Sequence, residues 1–158
     1  VFEVLGCDAV TVSPYMGLDS LRPFLEYRDR GIFVLCLTSN KGANDFQTPN
    51  LHLLVAKKVQ KWNVSGNAGL VVGATFPEKI SAIRKITGQM PFLIPGIGFQ
   101  GGDLEKTLLY ADDGSNLPFL INVSRDVIYA SSKEDYAQKA GIIAKEVRDK
   151  INSFRLRL

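Results

Sequence analysis

The stretch Gly69-Leu-Val-Val-Gly-Ala-Thr-Phe-Pro-Glu-Lys-Ile-Ser-Ala-Ile-Arg-Lys-Ile-Thr-Gly-Gln-Met-Pro-Phe-Leu-Ile94 decides the fold. It opens on a short apolar run, Gly69–Gly73, passes through an amphipathic segment, Pro77–Thr87, and closes on a second apolar run, Pro91–Ile94. Short, nearly continuous apolar runs read as strands buried on both faces. Pro77 suits the first turn of a helix, where its missing N–H costs little. Strand, helix, strand is a βαβ unit, which makes a parallel sheet with a right-handed crossover.

The same pattern extends in both directions. Asp8–Val12, Ile32–Leu37 and Pro118–Val123 are further strand-like runs. Helical patterns cover Leu18–Tyr27, with Asp19 and Ser20 as candidate caps, then Leu51–Trp62, Asp103–Tyr110 with Asp103 as N-cap, and Lys133–Phe154, which ends in a frayed basic tail. Val1–Gly6 reads as the last turns of a helix. The chain reads as one α/β domain, residues 1–158, with five strands. Two architectures fit this pattern. One is an open doubly wound sheet; the other is part of a (β/α)8 barrel, which takes eight units and about 250 residues. On the second reading the chain is three units short and begins inside a helix.

Composition narrows the class. Of 158 residues, 46% are hydrophobic and 22% charged, the balance of a globular domain rather than a disordered or fibrous one. No apolar run approaches the roughly 20 residues of a membrane helix, and the first residues lack a signal-peptide layout. Lys and Arg number 19 against 16 Asp and Glu, and they are scattered, unlike the clustered face of a nucleic-acid binder. Cys7 and Cys36 form no C-x-x-C pair, which points to a reduced, cytoplasmic setting.

Both architectures place ligands beyond the C-terminal strand ends. Those positions hold Ser13-Pro14-Tyr15, Thr38-Ser39-Asn40, Ala74-Thr75, Pro95–Gly102 and Ser124-Arg125. Hydroxyls, amides, glycines and one guanidinium suit a polar, anionic ligand. With no Asp, Glu, His or Cys directly at a strand end, a zinc site or a two-carboxylate glycosidase is disfavoured. Gly96-Ile-Gly-Phe-Gln-Gly101 matches G-x-G-x-x-G between a strand and a helix. It fits a dinucleotide loop, although it falls in the fourth unit and the next strand ends on Ser124-Arg125 rather than on an acid. It also fits a phosphate cradle, with loop amides, the helix dipole near Asp103 and a bidentate Arg125. A tight turn for the glycines and a surface ion pair of Arg125 with Asp126 are the plainer readings. His52 reads as a solvated surface histidine, Lys57, Lys58 and Lys61 as a solvated helix face, and Trp62 as packing. Arg148, Lys150, Arg155 and Arg157 read as favourable charge at a helix C-terminus.

Five stretches taken together are more specific: Asp8–Tyr15, Thr38–Asn40, Gly69–Thr75, Pro95–Asp103 and Asn122–Arg125. In this order they resemble the orotidine 5′-phosphate decarboxylase family, most of all its longer bacterial branch, from about residue 1 to 133. The resemblance implies a TIM barrel of which this chain supplies about five C-terminal βα units. It implies decarboxylation of orotidine monophosphate to uridine monophosphate in pyrimidine (UMP) biosynthesis, with no metal or organic cofactor, by a cytoplasmic homodimer. By the same resemblance, Ser39 would hydrogen-bond the pyrimidine amide, and Gln100 would bridge phosphate and base in the closed state. Arg125, with the backbone of Ser124, would grip the phosphate; Pro95 and Ile97 would line the pocket. Ser13 stands where the branch has Asn, and Lys41 where it has Pro. The family's proton chemistry sits in an Asp-x-Lys-x-x-Asp motif, which this sequence does not contain. No catalytic residue is therefore assigned, and the isolated chain is expected to be poorly soluble and inactive. The alternatives are an NAD-type dinucleotide-binding oxidoreductase and a non-enzymatic phosphoribosyl-binding module.

Overall fold

Among the described residues every strand pairs only with its neighbours in sequence. In the computed structural model, which describes residues 1–98, 100–112 and 114–157, the strands are β1 (Ala9–Val12), β2 (Gly31–Leu37), β3 (Ala68–Val72), β4 (Phe92–Pro95) and β5 (Phe119–Asn122). They form one parallel sheet in the order β1-β2-β3-β4-β5. A doubly wound sheet reverses its strand order at a switch point. This order never reverses, so the sheet is a run of barrel units and the doubly wound reading falls away.

The helices are α1 (Phe2–Leu5), α2 (Leu18–Leu25), α3 (Ala43–Phe46), α4 (Leu51–Trp62), α5 (Pro77–Thr87), α6 (Leu104–Ala111), α7 (Arg125–Ile128) and α8 (Tyr136–Arg155). Helix α4 packs on α5 and α5 on α6, side by side along the sheet. Ile32, Val34, Leu70, Val72, Phe92 and Ile94 form one core cluster with Ala56 and Val59 of α4 and Ile80 and Ile83 of α5. The opposite face carries the registered row Leu35, Val71, Leu93 and Leu120. Leu120 there is 56% exposed. Only β3 is buried along its whole length; β1 and β5, at the sheet edges, alternate between exposed and half-buried. The expectation of strands buried on both faces therefore holds for the middle of the sheet alone, since an edge strand lacks a neighbour and the row opposite the helices is only partly covered.

Local chemistry accounts for the helix ends. Pro77 stands in the first turn of α5, and Asp103 Oδ1 accepts the Lys106 N–H of α6 at 3.1 Å. Helix α2 differs from expectation. Gly17 is its N-cap, and Ser20 Oγ donates back to Gly17 O at 2.7 Å, so neither Ser20 nor Asp19 caps it through a side chain. The tail of α8 is anchored rather than frayed. Arg155 Nη2 lies 3.2 Å from Asp112 Oδ2, 2.7 Å from Asn116 Oδ1 and 3.0 Å from Leu117 O, with the guanidinium 4.7 Å from the Phe119 ring. Arg155 thus ties α8 to the turn before β5, a role beyond charge at a helix end. Arg84, 8% exposed on α5, binds Gly88 O and Met90 O through Nη1 at 2.8 and 2.6 Å and Pro118 O through Nη2 at 3.3 Å, stacked 3.5 Å over Phe92. It joins α5 to the entries of β4 and β5. Trp62 packs against the core as expected, and Lys57, Lys58 and Lys61 are exposed. Among the described residues no helix is long and apolar enough to cross a membrane.

Candidate functional site

Ser39 lies two residues beyond β2, in a seat made by glycines. The β2–β3 register shifts between Leu35 and Leu37, and Gly73 N–H then closes on Leu37 O at 2.6 Å. A Cβ on Gly73 would stand 2.7 Å from Ser39 N, and one on Gly96 would stand 2.5 Å from Ser39 Cβ. No side chain fits at either position while Ser39 stays where it is. Thr75 Oγ1 donates to Ser39 O at 3.2 Å. Ser39 Oγ donates in turn to Gln100 Oε1 at 2.9 Å, joining positions 61 residues apart. The two residues that the resemblance puts on the base and its bridge thus meet over the ends of β2, β3 and β4.

Thr38 is held by a residue that the sequence did not signal. Its N–H donates to Gln47 Oε1 at 2.7 Å, and its hydroxyl accepts from Gln47 Nε2 at 2.9 Å while donating to Asn40 Oδ1 at 2.6 Å. Gln47 O is bound by both the backbone N–H and ring Nδ1 of His52, at 3.0 and 2.8 Å. His52 is 2% exposed, which corrects the solvated reading: its ring turns inward and finds its polar partner in Gln47 O, on the chain between α3 and α4. Burial pushes its pKa down, the bond to Gln47 O opposes that, and the charge of Lys79 adds to the lowering. The neutral imidazole therefore donates through Nδ1–H. Cys36 Sγ donates to His52 O at 3.2 Å, and burial pushes this thiol up to about 12, so it is inert packing.

The glycine run after β4 closes on itself. Gly98 N–H binds Gly102 O at 3.2 Å, Gly101 N–H binds Gly98 O at 2.6 Å and Gly102 N–H binds Gly96 O at 3.0 Å; Ile97 and Gly102 form a bridge. These three amides are committed inside the loop, so they are not the open phosphate cradle read from G-x-G-x-x-G. Phe99 of that motif lies outside the described residues. The start of α6 already holds the Asp103 carboxylate, which makes it a poor seat for a second anion. The loop instead shapes the rim and places Gln100. Pro95 ends β4 and, like Ile97, is half-buried beside this loop.

Pro95 pairs in register with Asn122 of β5. Two residues on, Ser124 is the N-cap of α7 and Arg125 its first residue, both exposed on the rim. The Asp126 carboxylate occupies the space that a Cβ on Gly98 would need, so the loops after β4 and β5 meet there. All six expected site residues lie at the C-terminal ends of β2, β4 and β5; direct contact is established for Ser39 and Gln100. A dinucleotide loop belongs at a switch point, which this sheet lacks. Gln47 carries no signal in the sequence, and although Thr75 stands at a strand end, Asp126 beside Arg125 and His52 near a helix start, the contacts of all four come from loops and follow no periodicity.

Comparison with known proteins agrees with the barrel fold. Residues 1–140 match the family described as orotidine 5'-phosphate decarboxylase / HUMPS. The orotidine 5'-phosphate decarboxylase of Dehalococcoides mccartyi strain 195 is 49% identical over 99% of this chain and 62% of its own length. That of Ralstonia pickettii is 48% identical over 98% of this chain and 59% of its own length. Among solved structures, Leishmania donovani UMP synthase superposes with a TM-score of 0.88 at 42% identity, over 98% of this chain and 34% of that one. Leishmania donovani OMP decarboxylase gives 0.81 at 42% identity, over 98% and 60%. The chain spans about three fifths of the length of the curated relatives it matches.

Proposed function

Because the chain belongs to the orotidine 5′-phosphate decarboxylase / HUMPS family, we propose that it supplies the nucleotide-binding side of an orotidine 5′-phosphate decarboxylase. The hydrogen bond from Ser39 to Gln100 is the observation that carries this reading. It leaves the Gln100 Nε2 donors to reach a phosphate oxygen while Ser39 meets the pyrimidine amide. Arg125, with the Ser124 backbone, takes the phosphate; a guanidinium matches two of its oxygens. Pro95 and Ile97 form the wall beside the base. These contacts are remote from the reacting carbon. They hold the ring in place and favour closure of the rim, so binding energy serves orientation.

The sequence has no Asp-x-Lys-x-x-Asp, and the strand ends described above offer no lysine to protonate a carbanion. This chain by itself is therefore a binder of orotidine and uridine monophosphates that does not turn them over; decarboxylation requires the proton donor and its carboxylates to be supplied alongside it. The same reading carries a two-fold homodimer and a cytoplasmic setting.

Thermal-shift measurements test the binding. A ligand that binds only the folded state stabilises it by RT ln(1 + [L]/Kd). Uridine monophosphate should raise the midpoint, and uridine and NAD should raise it far less. A larger shift with NAD, or none with uridine monophosphate, would overturn the reading.

A further inference from the structure

We propose that Gln47, itself fixed by His52, is a positioning residue for Ser39; the part that concerns nucleotide binding rests on the function proposed above. The β2–β3 ladder ends at the bond from Gly73 N–H to Leu37 O. Beyond it, the Thr38 N–H finds its acceptor in the Gln47 side chain at 2.7 Å. The amide grips Thr38 at two points, with Oε1 on the backbone N–H and Nε2 on the hydroxyl at 2.9 Å. A two-point amide grip fixes direction as well as distance, as a ladder pair would.

Thr38 is covalently next to Ser39, so this grip sets where the serine backbone leaves the strand. From the other side Thr75 holds Ser39 O. The hydroxyl that meets Gln100 is thus fixed by one clamp on the residue before it and one on its own carbonyl. Gln47 is in turn immobilised because His52 places two donors on its carbonyl and Cys36 binds the carbonyl of His52. Gln47 touches neither Gln100 nor Arg125 in the hydrogen bonds described, so it acts through Ser39.

Amide hydrogen exchange with residue resolution, at low micromolar concentration, tests the positioning without any ligand. In Gln47→Met, which removes both contacts with little change of volume, the Thr38 amide should exchange about tenfold faster or more, the loss of one net hydrogen bond. Amides of Leu70 and Val34 in the sheet interior should not change. Gln47→Glu keeps an acceptor for the Thr38 N–H and should restore most of the protection. Unchanged exchange at Thr38, or equal acceleration throughout the sheet, would overturn the proposal.

Titration then tests its use. Gln47→Met should weaken uridine monophosphate severalfold and ribose 5-phosphate much less, because the base meets Ser39 directly and the phosphate is held chiefly by Arg125. Equal loss for both ligands would refute a base-directed role. If the unmutated chain binds neither ligand, the function proposed above fails, and the exchange result still decides whether Gln47 positions Ser39.

Discussion

Replacing Gly96 with Ala should separate close packing at the site from simple backbone strain. Gly96 has φ +100°, a region where an L side chain is strained by about 1–2 kcal/mol. Its new Cβ would also stand 2.5 Å from Ser39 Cβ and 3.2 Å from Gln100 Oε1. Relieving such an overlap in a packed region costs about 1–3 kcal/mol more. The total is roughly 2–5 kcal/mol, or a midpoint lower by about 5–15 °C for a chain of this size. Gly6 supplies the control. Its φ of +64° and ψ of +23° lie in the left-handed helical region and no atom lies within 4 Å of the added Cβ, so Gly6→Ala carries only backbone strain of about 1 kcal/mol. Differential scanning calorimetry of the two variants measures the difference, and titration with uridine monophosphate should show loss of affinity for Gly96→Ala alone. If the two variants melt alike and bind alike, Ser39 is not seated against Gly96 and the geometry of the site is wrong.

Arg125→Ala should weaken uridine monophosphate by about 1.5–3 kcal/mol, the range for a hydrogen bond to a charged group, and leave uridine unchanged; calorimetric titration of both ligands checks this. Arg84→Met should destabilise the fold by about 3–5 kcal/mol in denaturant melts, because it strips hydrogen bonds from Gly88 O, Met90 O and Pro118 O, with no effect on ligand specificity. His52 makes stability depend on pH. Its folded pKa lies below the unfolded value of about 6.5, so its contribution is full above that value and is lost as pH falls through the folded one. A denaturant series from pH 8 to 5 should show this slope, and His52→Gln should flatten it.

The strands were legible because a parallel strand packed beneath helices writes a nearly continuous apolar run, and all five runs form strands. The architecture was less legible, since five βα units suit a barrel and a doubly wound sheet equally; strand order separates them, and order is a long-range property. His52 illustrates the limit at one residue. Its place near the start of a polar-faced helix suggests exposure, but the ring is buried and bound to Gln47 O. Arg84 and Arg155 bind main-chain carbonyls on other elements, and no spacing marks such partners. The site divides in the same way. Strand-end position brought out Ser39, Pro95, Ile97, Gln100, Ser124 and Arg125, and the family resemblance supplied their roles. The seat made by Gly73 and Gly96 and the grip of Gln47 required the folded chain, because each joins loops from different strands.

The structure of this chain with uridine monophosphate bound tests the central claim most directly. The pyrimidine should lie against Ser39 Oγ, the phosphate on Arg125 and the Ser124 backbone, and Gln100 should reach between them over the ends of β2, β4 and β5. A nucleotide bound away from those strand ends, or a phosphate seated elsewhere than on Arg125, would contradict it.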